Sequence, residues 1–160
     1  MKIIIVDNDD KIIGSKERAE IKKEDIYRVA ALWIKNSKNQ FLLAKRALTK
    51  KNDPGKWGPA VAGTVEEGET YESNITKEAK EELGLKNLNL IKGSKTRTKG
   101  IHNHFTQWFL VTLDKTIEEF EIQEEEIDEI KWFTKKVFMK KYKENPSTFI
   151  PKIKKYVEMF

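Results

Sequence analysis

Between Gly63 and Leu85 the chain reads GTVEEGETYESNITKEAKEELGL, with glutamates at Glu66, Glu67, Glu69, Glu72, Glu78, Glu81 and Glu82 in a protein of formal net charge +5. Glu78, Glu81 and Glu82 stand at i, i+3 and i+4, a spacing that gathers three carboxylates on one side of a helix. Left alone they repel one another; a cation among them reverses the sign of the interaction. Hard oxygen ligands of this kind suit magnesium or manganese, which bind a few carboxylates and complete their shell with water and substrate phosphate. Without such a cation, the same glutamates would be ordinary solvated helix charges.

The elements that hold these groups are legible around them. From Glu69 to Leu83 there is neither Gly nor Pro, Thr70 can cap the start of a helix, and Gly84 stops it. Tyr71, Ile75, Ala79 and Leu83 recur every fourth residue and form an apolar stripe for a core. Upstream, KIIIVD and IIGSKERAEI flank an Asp/Asn-rich turn and predict a hairpin within residues 1–25. Ile26 to Lys35 is apolar on both parities, which predicts a central strand. FLLAKRA returns after NSKNQ, and Pro59 to Ala62 leads into Gly63. Downstream, Ile130 and Trp132 alternate as a strand. Thr134 opens a helix carrying Val137, Phe138 and Tyr142. A last helix after Asn145-Pro146 places Ile150, Ile153, Val157 and Phe160 together, so that residues 134–160 are helical.

The spacing Gly63, five residues, Glu69, seven residues, Lys77-Glu78-Ala79, one residue, Glu81-Glu82, one residue, Gly84-Leu85 resembles the Nudix box of residues 63–85 at every position but one. The resemblance implies an α/β fold, a Nudix α/β/α sandwich with a mixed β-sheet, over a single domain of residues 1–160. It implies that Glu78, Glu81 and Glu82, with the backbone carbonyl of Gly63, hold one to three Mg2+ (or Mn2+) ions that polarise a diphosphate and acidify a bound water. Glu69 is then structural. Lys77 is the departure: the family usually has Arg there, bridging to Glu69, and Lys offers a point charge where Arg offers a fork.

The hairpin, the segment LLAKRALTKKNDPGKWG and the later EEEIDEIKWF look like the branch that includes isopentenyl-diphosphate isomerase and its hydrolase relatives. That isomerase uses a Cys, and this chain has none. The nearly complete box therefore points to hydrolysis of a diphosphate linkage in a nucleoside diphosphate derivative or nucleotide. Isomerisation, or diphosphate or RNA binding without catalysis, are the other readings.

Further candidates surround the box. Arg46, Lys50 and Lys51 flank the expected cleft and suit phosphate contact or plain solvation. Trp57 either stacks on a base or anchors its loop. His102 and His104 share one face of the strand expected over HNHFTQWFLVTL. Two His at that spacing are more often a polar strand end than a metal site, and His104 is also a candidate for substrate phosphate. In the acidic run from Glu118 to Glu129, Glu125 and Glu126 are candidates for an extra ligand or general base.

Composition closes off other classes. A chain of 160 residues, 38% apolar, supports one core. Its apolar runs are too short for a membrane span or a secretory signal, which leads to the expectation of a cytoplasmic protein. The absence of Cys removes disulfides, thiolate metal sites and Cys nucleophiles. The pI of about 9.2 invites nucleic acid, yet the Lys residues are scattered, so RNA is not favoured over a small-molecule diphosphate, acted on by a monomer or homodimer.

Overall fold

In the computed structural model, which describes residues 1–160, Ile26–Lys35 forms the strand on which the sheet is organised. In chain order the elements are β1 (Lys2–Val6), β2 (Ile12–Glu17), β3 (Ile26–Lys35), β4 (Phe41–Arg46), β5 (Trp57–Pro59), β6 (Val61–Thr64), α1 (Tyr71–Leu83), β7 (Ile91–Thr98), β8 (His104–Thr112), β9 (Ile127–Phe133), α2 (Lys135–Glu144) and α3 (Ile153–Met159). Along one side β3 meets β1 (Val6 opposite Ile26), then β6 (Val29 opposite Thr64 through Leu32 opposite Val61), then β4 (Lys35 opposite Phe41), all antiparallel. Along the other side it runs parallel to β8, from Tyr27 opposite His104 to Lys35 opposite Thr112. The sheet is therefore mixed, with β2 outside β1, β7 outside β8, and β5 and β9 flanking β4.

Because β3 is covered on both faces, its parities separate two cores. Ala30, Leu32 and Ile34 pack with Ile75, Ala79 and Leu83 of α1, and Ala31 and Trp33 pack with Phe138, Phe149, Ile153 and Val157 from the C-terminal helical region. This is the α/β/α sandwich expected from the sequence. Helix α1 begins with reciprocal hydrogen bonds between Thr70 and Ser73, N–H to hydroxyl at 3.0 and 2.9 Å, and ends at Gly84, whose φ of 68° is cheap only for a residue without a β-carbon. Its stripe is buried at Ile75, Ala79 and Leu83. Tyr71 is only partly buried, because its hydroxyl turns to Asp10 at 3.0 Å. Asp10 also accepts from Arg28 Nε at 2.7 Å and Lys95 Nζ at 2.5 Å, fastening the hairpin turn to α1, β3 and β7.

Several boundaries differ from the sequence expectation. The hairpin's second strand stops at Glu17 and gives way to a 3-10 turn at Arg18–Glu20. Strand β7 carries too few apolar residues to announce itself, since it is a largely exposed ribbon paired only with β8. Val137 is 42% exposed and points away from the core that Phe138 enters. Ile150 precedes α3 rather than belonging to it. His102 lies before β8, which starts at His104, so the two His do not share a strand face. No helix is long and apolar enough to cross a membrane.

Candidate active site

Gly63 faces α1 because it shares the parity of Val61 and Val65, both of which enter the core beneath that helix. A β-carbon on Gly63 would lie 2.5 Å from Glu78 Cγ and 2.8 Å from Asn74 Oδ1, distances no real side chain tolerates. Glycine is thus required for close approach, and the approach presses the Glu78 side chain against the end of β6.

One turn further along α1, Glu82 is 8% exposed. Burial, followed by the neighbouring Glu78 and Glu126 carboxylates, pushes its carboxyl up to about 8, with Lys50 opposing the shift. Glu78 lies within hydrogen-bonding reach of Glu82 and is itself raised, chiefly by burial, with Lys77 pulling down and Glu81 and Glu69 pushing up. Glu126 reaches this place through a chain of backbone hydrogen bonds. Gln123 N–H donates to the Glu82 carbonyl at 2.9 Å, Glu126 N–H to the Gln123 carbonyl at 3.0 Å, and Ala47 N–H to the Glu126 carbonyl at 3.0 Å. Lys50 then pairs with the Glu126 carboxylate.

The fold therefore gathers Glu78, Glu82 and Glu126, while Glu81 and Glu125 remain exposed. The expected convergence of Glu78, Glu81 and Glu82 is thus only partial: no three acidic or His side chains are close enough in this arrangement to surround one ion. The donor set nevertheless fits a hard divalent cation. Glu78 and the buried Asn74 Oδ1, which has no hydrogen-bond partner, lie beside Gly63, and Glu82 and then Glu126 follow beyond Glu78, all oxygen donors of the kind such a cation takes. Asn74 was not among the sequence candidates; an Asn inside an otherwise good helix was the available signal.

Lys77 holds the loop before the helix, as the resemblance implied for the usual Arg. Its Nζ lies 2.6 Å from Glu69 Oε1 and 3.6 Å from both Glu66 Oε2 and Glu78 Oε1. Glu69 is held below the usual carboxylate range: burial works against this, and the hydrogen bonds from Lys77, Glu66 and Asn74 outweigh it.

The remaining candidates are less closely tied to these donors. Arg46 Nε donates to the Asn52 carbonyl at 2.8 Å, so its guanidinium helps close the loop that carries Lys50. Trp57 packs edge-on to Phe133 at 5.5 Å in the core on the C-terminal helix side, and its carbonyl accepts from Ile150 N–H at 2.9 Å; it is a loop anchor and not a free stacking surface. His104 has the parity of Thr106 and Trp108, which places it on the sheet face opposite α1, beside Tyr27 at 5.2 Å. Burial foremost drops its imidazole to about 4, so it is neutral at pH 7 and brings no positive charge to a phosphate.

A family model described as NUDIX domain matches residues 26–153. An isopentenyl-diphosphate Delta-isomerase of Klebsiella pneumoniae is 33% identical over 85 residues, covering 52% of this chain and 46% of the isomerase. A Nudix hydrolase of Listeria innocua is 31% identical over 114 residues, covering 69% of this chain and 65% of the relative. The chain thus spans about half to two thirds of the length of these relatives. Among solved structures, one from Deinococcus radiodurans superposes with a TM-score of 0.77 at 22% identity, covering 91% of this chain and 90% of that one. An Ap4A hydrolase of C. elegans superposes at 0.54 with 19% identity, covering 81% and 96%. With the matched residues carrying the Gly63 to Leu85 spacing and the fold agreeing, the chain belongs to the NUDIX domain family.

Proposed function

We propose that the protein hydrolyses a diphosphate linkage in a nucleoside diphosphate derivative or nucleotide, with Mg2+ or Mn2+ as cofactor. The observation that carries this reading is the burial of Glu82, 8% exposed, beside Glu78 and Glu126: without a cation its carboxyl holds a proton up to about pH 8, and a divalent cation would take that proton's place. Glu78, Glu82 and the Gly63 carbonyl would hold the cation, with Glu81 reaching in from the exposed rim. A divalent cation bound there neutralises the diphosphate and acidifies a coordinated water. Glu126, paired with Lys50 and neighbouring Glu82, would take the proton of the attacking water.

A second reading, isomerisation of isopentenyl diphosphate, is favoured by the Klebsiella pneumoniae relative and opposed by the absence of any Cys. One experiment addresses both. The protein is incubated with Mg2+ and a panel of nucleoside diphosphate compounds, nucleotides and isopentenyl diphosphate, with detection of phosphate-containing products and of the dimethylallyl isomer. Metal-dependent hydrolysis, abolished in a folded Glu82→Gln variant, is the expected result. Undiminished turnover in that variant, or no hydrolysis across the panel, would overturn the proposal, and formation of the dimethylallyl isomer would establish the second reading.

A further inference from the structure

We propose that Asn74 is a positioning residue that completes the Glu69 clamp left half-made by Lys77, and so holds helix α1 against the Gly63 strand. As a statement about metal binding this rests on the hydrolase reading; as a statement about the clamp it stands by itself.

An ammonium group is a compact charge, whereas a guanidinium fork can grip both oxygens of one carboxylate. Lys77 Nζ takes Glu69 Oε1 at 2.6 Å, and its other acidic contacts, at 3.6 Å, are with Glu66 and Glu78. The second Glu69 oxygen is served by Asn74, whose Nδ2 donates to Oε2 at 2.8 Å, alongside the Glu66 backbone N–H at 2.9 Å. Two side chains, three residues apart on one helix, thus do what a single guanidinium could do.

Asn74 also does something a guanidinium at position 77 would not. Its second amide hydrogen goes to the Thr64 carbonyl at 3.0 Å, the carbonyl next in sequence after that of Gly63. Helix α1 is therefore pinned both to the loop, through Glu69, and to the strand, through Thr64. Both partners of the amide nitrogen are acceptors only, which fixes the orientation of the group and leaves Oδ1 on the side of Gly63 and Glu78. That oxygen is fully buried, has no partner, and lies 2.8 Å from where a Gly63 β-carbon would sit. An interior Asn is unfavourable in a helix, and an orphaned acceptor adds to the cost, so packing alone does not account for it. Shortening the clamp would let Glu78 swing from the Gly63 contact that aims it.

The test compares Asn74→Ala, Lys77→Arg and the double variant with the unaltered protein. The metal-free readout is the hydrogen-exchange rate of the Glu66 backbone amide, which donates to Glu69 and reports the clamp without substrate or cofactor. The second readout is Mn2+ affinity by electron paramagnetic resonance, with kcat and KM alongside. Asn74→Ala is expected to accelerate Glu66 exchange and weaken Mn2+ binding about tenfold, as loss of an outer support of a ligand does. Lys77→Arg in that background should restore both, because the fork then reaches Oε2. Glu66 exchange unchanged in Asn74→Ala, or a double variant no better than the single one, would overturn the proposal. Asn74→Ser, which also lacks the amide donors, replaces the alanine variant if that one fails to fold. Failure of the hydrolase reading would appear differently, as an intact, Arg-rescuable clamp in a protein that hydrolyses nothing.

Discussion

Glu78 Cγ lies 2.5 Å from the point that a β-carbon on Gly63 would occupy, so the carboxylate nearest the strand is aimed by a contact only glycine permits. Gly63→Ala should push helix and strand apart. Overpacking of this kind costs about 1–3 kcal/mol of stability. Misplacement of a ligand by roughly 1 Å should lower kcat/KM on the order of a hundredfold. Thermal unfolding and steady-state kinetics measure the two; wild-type kinetics in a folded variant would show that the close approach is not needed.

Glu82 predicts a conflict between stability and activity. Its ordinary value is 4.5 and burial foremost raises it to about 8 in the folded protein. Between those values the native state holds a proton that the unfolded chain has released, so metal-free stability falls as pH rises through this window. Glu82→Gln removes the dependence. Unfolding in the presence of a chelator should show the variant gaining on the unaltered protein from pH 5 to pH 8, on the order of 1–3 kcal/mol, while its activity is lost. A constant difference across that range would count against the burial of this carboxylate.

Glu126 and Glu125 are adjacent and chemically alike, and only the former lies beside Glu82 and is paired with Lys50. As the general base, Glu126→Gln should lower kcat about 10²- to 10⁴-fold with a smaller change in KM. Glu125→Gln should leave kcat within about twofold, as surface charges do when they contact nothing that reacts. Equal losses in both variants, read from initial rates at saturating Mg2+, would remove Glu126 from this role.

His104 gives a prediction of opposite sign. Its imidazole ordinarily titrates at 6.5 and burial lowers this to about 4. Below pH 6.5 the unfolded chain takes up a proton that the native state refuses, so stability falls as pH falls from 6.5 towards 4. The loss is on the order of 1–2 kcal/mol by pH 4.5, given that the ring is not wholly enclosed. Urea titrations of the protein and of His104→Gln at pH 4.5 and 7 measure it, and identical pH dependence in the two would show that His104 is not the group responsible.

The local features were written in the sequence because each depends on neighbours along the chain. Thr70 caps α1 through Ser73, Gly84 ends it with a positive φ, Ile75, Ala79 and Leu83 form its buried stripe, and the doubly apolar Ile26 to Lys35 announces a strand covered on both faces. The spacing from Gly63 to Leu85 likewise named the carboxylates. What joins them was decided by the tertiary structure. In an acidic run the side chains are chemically alike, and the backbone hydrogen bonds from Gln123 to Glu82 and from Ala47 to Glu126 bring Glu126 rather than Glu125 beside Glu82. The parity of β8 relative to α1 sends His104 to the other face of the sheet, and packing on Phe133 turns Trp57 into a core anchor. Strand β7 lacks the apolar alternation that marks a strand, because pairing with β8 alone makes it one. Asn74 depends on both levels. Its helical position follows from the cap at Thr70, whereas its grip on Glu69 and Thr64 exists only because β6 packs within hydrogen-bonding distance of that helix face.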